Sequence, residues 1–135
     1  ANEFFDCFPI RQFLKINGLW NEKNIKYNNK EEKLFFINYM INDVALITKL
    51  NRYTAKHNFD DKQIIEISFE REKYFDKICK FIKKNSGIII IFDYGYNAAI
   101  QYSTLQSINN HNYTHILDIG QSHTWLYEPQ VSTLW

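Results

Sequence analysis

The sequence predicts an α/β domain with an antiparallel β-hairpin insertion, and three observations lead there. Asn17-Gly18 lies between two stretches of alternating apolar and polar residues, a strong two-residue hairpin signal. Ser68 precedes a helical stretch with Glu70 and Glu72 in its first turn and Lys83 and Lys84 at its end. That stretch leads into Ile88-Ile89-Ile90-Ile91-Phe92, a run of the kind that parallel sheets bury on both faces.

The elements follow in order. Residues 1 to 9 form a short polar-aromatic turn, because Pro9 stops any helix beyond one or two turns. Arg11 to Ile16 alternates as a strand, with Phe13 on one side and Leu14 and Ile16 on the other. Leu19 to Tyr27 returns with Trp20 and Ile25 as apolar points. The polar turn Asn28-Asn29-Lys30-Glu31-Glu32 then gives way to a third strand, Lys33 to Tyr39. Residues 11 to 39 are therefore expected to form an antiparallel meander. Val44, Leu46, Ile47, Leu50 and Tyr53 fall at helical spacing and predict a helix over 43–56, with Asn42 as N-cap. Tyr74, Phe75, Ile78, Cys79, Phe81 and Ile82 make the apolar face of the helix after Ser68, and Gly87 is expected to be its left-handed C-cap. Asp93-Tyr94-Gly95 stands at the carboxyl end of the isoleucine strand, where open α/β sheets bind ligands.

Composition excludes several classes. Sixteen basic residues balance fifteen acidic ones, giving a formal charge of +1 and no electrostatic footprint for nucleic acid. Two distant cysteines, Cys7 and Cys79, suggest neither a disulfide framework nor a metal site, and a reducing interior is expected. No apolar run is long enough for a membrane-spanning helix. His111 and His115 stand four apart, but the asparagines around them make a poor helix, so they do not predict a metal site.

The opening residues carry the most specific signal. Asn2, Glu3 and Asp6 place an amide and two carboxylates within five positions, interleaved with Phe4, Phe5 and Phe8. Such a lining suits a cation or an adenine face. Residue types alone equally describe a capped helical turn with the phenylalanines in the core. The run Asn2-Glu3-Phe4-Phe5-Asp6 with Pro9 and Gln12 resembles the Asn-Glu-Phe-Phe-Asp-x-x-Pro-x-x-Gln signature of the MidA family of S-adenosylmethionine-dependent methyltransferases. That family includes the mitochondrial complex I assembly protein-arginine methyltransferase. Gly18-Leu19-Trp20 is similar to the Gly-x-Trp of its hairpin insertion. Glu66-Ile67-Ser68 resembles its Glu-x-Ser-Pro segment, with Phe69 in the proline's place. Phe92-Asp93-Tyr94-Gly95 matches a strand ending in Asp-Tyr-Gly. Ser103-Thr104-Leu105 with His111 resembles an Asp-Thr-Leu-x-x-x-x-x-His segment, with Ser103 replacing the aspartate.

The resemblance implies a partial Rossmann-like methyltransferase domain and a cleft that serves a protein arginine. It implies catalytic roles for Asn2, Glu3 and Asp6. It places Phe5, Pro9, Gln12, Asp93, Tyr94, Gly95 and His111 against substrate. The cofactor implied is S-adenosylmethionine. The implied partners are a protein substrate with a target arginine, such as a respiratory-complex subunit, and a separate N-terminal half. Location follows as cytoplasmic in a bacterium or the mitochondrial matrix in a eukaryote.

The four glycines are Gly18, Gly87, Gly95 and Gly120, and no two form the Gly-x-Gly of a cofactor loop. The chain is therefore expected to hold the substrate side of a cleft and to be inactive alone. Residues 1–120 are expected to form the methyltransferase part and 121–135 a divergent, frame-shifted tail. The alternatives are a non-catalytic protein-binding or assembly module and the remnant of a degraded gene.

Overall fold

Asn17 and Gly18 both take positive φ, 52° and 76°, in the computed structural model. Two successive positive values make the type I′ turn whose twist matches paired strands. The structure describes Phe5 and residues 8–55, 59–91, 101–109, 112–117 and 124–127. The turn joins β1 (Arg11–Ile16) to β2 (Leu19–Asn28), and a second turn leads to β3 (Lys33–Met40). Helix α1 (Val44–Thr54) precedes β4 (Ile64–Ile67), and α2 (Phe69–Lys84) follows it. β4 returns to pair with β1, so the sheet runs β3-β2-β1-β4 and is antiparallel throughout. β5 (Leu105–Asn109), β6 (Asn112–Thr114) and β7 (Thr124–Tyr127) make a smaller antiparallel sheet, ordered β6-β5-β7. β7 lies within the stretch expected to be a divergent tail.

The period-two alternation of strands gives the larger sheet two unlike faces. Phe13 pairs with Ile65 on one side and Glu22 on the other, and Trp20 pairs with Lys15. This face meets α1. Phe13, Trp20, Leu50 and Ile67 form the buried core, with Leu46, Ile47, Tyr53, Phe59 and Phe69 packed around them. The indole N–H of Trp20 donates to Asn51 Oδ1 at 2.9 Å, so its polar edge is satisfied. Lys49 links the helices, with its ammonium 2.6 Å from Glu72 and 4.3 Å from the centroid of Phe69. Arg11 approaches the same Phe69 ring at 5.3 Å while its guanidinium grips both Glu22 oxygens, at 2.6 and 2.8 Å. Hydrogen bonding to Glu22 raises the pKa of Arg11 against the opposing effect of burial.

The meander forms as the sequence predicts, and Ser68 caps α2 by accepting the Arg71 amide at 3.3 Å. Three local expectations are corrected. The N-cap of α1 is Asp43 rather than Asn42; its carboxylate accepts from the amides of Ala45 and Leu46. A charged acceptor one residue closer serves the two orphan amides better. The helix itself is shorter than the 43–56 expected. At the end of α2 the positive φ falls on Ser86, at 52°, rather than on Gly87. Asn85 and Gly87 amides close the turn onto Ile82.

The largest correction concerns the isoleucine run. Residues 88–91 take no regular structure and are exposed, Ile88 by 90% and Ile90 by 71%. Phe92 lies outside the described residues. A β-branched run favours a strand only where neighbouring strands accept its backbone hydrogen bonds and cover both its faces. None of the described strands pairs with it. Every strand pairing described is antiparallel, where a parallel sheet was expected. Among the described residues the fold is thus mixed α/β, with two antiparallel sheets and two helices.

Leu50 is fully buried between α1 and the sheet. Leu50→Ala is expected to lower the unfolding free energy by about 2–5 kcal/mol, measured by urea denaturation. An effect under about 1 kcal/mol would show that α1 does not seal this face.

Candidate functional site

One row across the second face of the sheet is polar. Asn38, Lys23, Gln12 and Glu66 lie side by side across all four strands, since Asn38 pairs with Lys23, Lys23 with Gln12, and Gln12 with Glu66. Glu66 interrupts the apolar run Ile64-Ile65-Glu66-Ile67 and is only 4% exposed. A buried carboxylate must collect donors or pay heavily in desolvation.

Glu66 collects them from distant parts of the chain. Oε1 accepts from Gln12 Nε2 at 2.5 Å, from the Thr104 amide at 3.1 Å and from Ser103 Oγ at 3.3 Å. Oε2 accepts from Thr104 Oγ1 at 2.6 Å. Gln12 Nε2 also donates to Ser103 Oγ at 2.7 Å, which closes a ring of Gln12, Ser103 and Glu66. The Ile64 amide donates to the Gln101 carbonyl at 2.9 Å, so the segment around 101–104 lies along the free edge of β4. Beyond it, Ser107 is buried and shares a 2.9 Å hydroxyl contact with Thr114 across the β5–β6 hairpin.

Lys23 brings a positive charge to the same row. Burial pushes its pKa below the ordinary lysine value, and the negative charge of Glu66 partly restores it. Its ammonium lies 3.9 Å from the centroid of Phe36.

The opening signature ends in β1, at Gln12. Phe5 is buried, with its ring centroid 6.2 Å from Phe75 and 6.4 Å from Phe8; Phe8 in turn lies 5.4 Å from Tyr74. Phe5 and Phe8 thus pack against α2. Pro9 is exposed and Gln12 is buried in the Glu66 network. Asn2, Glu3, Asp6, Asp93, Tyr94, Gly95 and His111 lie outside the described residues. Among the described residues, no group of histidine, cysteine and carboxylate side chains could hold a metal. No helix among them is long and apolar enough to cross a membrane.

Three of the sequence segments singled out above therefore meet at one carboxylate: Gln12 ends the first, Glu66 begins the second, and Ser103 and Thr104 open the last. In the sequence Glu66 stands out only as part of the Glu66-Ile67-Ser68 pattern. The signal was present in a single charge set within four residues of β-branched strand, which requires buried donors from elsewhere.

Residues 1–122 match the family described as "Putative S-adenosyl-L-methionine-dependent methyltransferase". The match spans most of the 135 residues, and the chain belongs to that family. Membership implies S-adenosylmethionine as the family's methyl donor.

Two measurements check the network. Glu66→Ala strands the Thr104 and Gln12 donors, each unsatisfied group costing about 1–3 kcal/mol. The variant should unfold at lower urea, and its Thr104 amide should exchange with solvent faster than that of Leu50. Unchanged protection at Thr104 would contradict the network. Glu66→Gln keeps an acceptor but removes the charge, so the Lys23 ammonium, followed by NMR, should titrate at still lower pH. Since the folded value lies below the unfolded one, the unfolded chain binds more protons there. Stability linked to Lys23 therefore rises as pH increases through that window.

Proposed function

We propose that this member of the methyltransferase family forms the substrate-side wall of a methyl-transfer cleft of MidA type, serving the guanidinium of a protein arginine. The observation that supports this reading most is the meeting of Gln12, Glu66, Ser103 and Thr104. A network of this kind holds separate motif segments in one fixed relation, which a cleft wall needs. Positioning supplies much of the rate of a group transfer, and placement errors near 1 Å are costly.

In this reading Asn2, Glu3 and Asp6 are the polar groups that meet the reacting guanidinium. Carboxylates suit that task, because they accept paired hydrogen bonds from its planar fork. Phe5 and Pro9 shape the turn that carries them, and Asp93, Tyr94, Gly95 and His111 complete the substrate side. Gln12 acts from behind, as its amide donates to Glu66 and Ser103. It is a positioning residue.

The described residues do not suit S-adenosylmethionine. Their buried carboxylate, Glu66, is already taken by donors of the protein. The 135 residues contain no Gly-x-Gly at which backbone could approach a cofactor closely. Methyl transfer requires a sulfonium held in line with the attacking nitrogen, and one wall of a cleft cannot fix both partners.

These 135 residues alone are therefore expected neither to bind S-adenosylmethionine in isothermal titration nor to label an arginine peptide with a radioactive methyl group. Adding a polypeptide that carries the Gly-rich strands should restore both. Micromolar binding of the cofactor by the isolated chain would overturn the half-cleft reading. Labelling of lysine in place of arginine by the restored pair would overturn the substrate assignment.

A further inference from the structure

β3 ends the larger sheet, and among the described residues no strand pairs with its outer edge. Which of its backbone groups face outward follows from the ladder. The Ile41 amide donates to the Trp20 carbonyl at 2.9 Å, and Met40 stands opposite Asn21. Antiparallel ladders alternate, so the odd-numbered residues of β3 bond to β2. Leu34, Phe36, Asn38 and Met40 turn their N–H and C=O groups away from the sheet.

An open edge usually carries a device against pairing: a proline, a bulge, or a charge set into the strand. β3 has none of them. Its register with β2 is unbroken over all eight residues, and its only charge is Lys33 at the first position. Its exposed side chains include Phe35 at 39%, Tyr39 at 52% and Met40 at 56%.

We propose that β3 pairs with β3 of a second copy of this chain, joining two four-stranded sheets into one through a two-fold axis at Ile37. A two-fold perpendicular to a sheet keeps each face on its own side, so paired residues must have equal parity. Centring on Ile37 sets Leu34 opposite Met40, Phe35 opposite Tyr39, and Phe36 opposite Asn38. All outward backbone groups are then used, in about eight hydrogen bonds. Phe35–Tyr39 is a favourable aromatic cross-strand pair and occurs twice. Lys33 falls opposite Ile41, so no charge faces a like charge. Centring on Phe36 would instead set Met40 against Glu32 in the turn and waste part of the edge. This self-complementarity of side chains selects a second copy over an unrelated strand. An edge of eight residues is small for an interface, so the dimer is reversible.

The inference is independent of the proposed reaction. Sedimentation of the full chain over a concentration series tests it, with a species of twice the 16.3 kDa protomer mass expected at high concentration. Asn38→Pro removes only an outward N–H, so it should abolish the dimer while circular dichroism stays unchanged. Ile37→Lys and Ile37→Glu should each be monomeric, since like charges would meet on the axis. Mixed in equal amounts they should form a heterodimer. A wild type that stays monomeric at every concentration would overturn the proposal. So would a dimer that survives Asn38→Pro, or folded Lys and Glu variants that fail to combine.

Discussion

A carboxylate buried on the face of a sheet constrains everything around it. Glu66 lies on β4, 4% exposed, and its oxygens are met by an amide side chain from β1 and by a backbone amide and two hydroxyls from the segment before β5. None of these donors is charged. The charge is stabilised by the number and geometry of its hydrogen bonds, with Lys23 contributing through space. Removing one donor leaves the others less well compensated, so the three segments are held as a unit. The placement of residues 101–104 along β4 depends on this.

The two faces of the sheet divide the labour. On one, Phe13, Trp20 and Ile67 receive Leu50 of α1, and burial of apolar surface supplies the cohesion. On the other, Gln12 and Glu66 bond the segment that docks there. Apolar packing tolerates exchange of one shape for another of similar volume, whereas a polar row accepts only matching donors and acceptors. Gln12 and Glu66 lie in the polar row, and the apolar face supports the same strands from behind. Phe69, standing where the family pattern has proline, is drawn into that support. Arg11 and Lys49 both approach its ring, and each also holds a carboxylate.

Helix α2 and the isoleucines after it are less complete. No residue of α2 is fully buried, and Phe81 is 68% exposed. Ile88 to Ile91 present large apolar side chains to solvent.

What could be read from the sequence is what local chemistry decides. Asn17-Gly18 encodes its turn because asparagine and glycine tolerate positive φ, and that tolerance needs no distant partner. Ser68 and the charges of α2 encode that helix because caps and dipole act within one turn. Methyltransferase character was legible from the opening signature because a motif is a contiguous string. Other features needed the tertiary structure. Asn42 and Asp43 are both residue types that cap helices, so residue type alone did not choose between them. Nor could local signals show that Gln12 and Ser103, far apart in sequence, would share one carboxylate. The isoleucine run makes the contrast clearest. Its β-branched residues favour a strand, but a strand exists only where neighbours take up its backbone hydrogen bonds, and the described sheets offer it none.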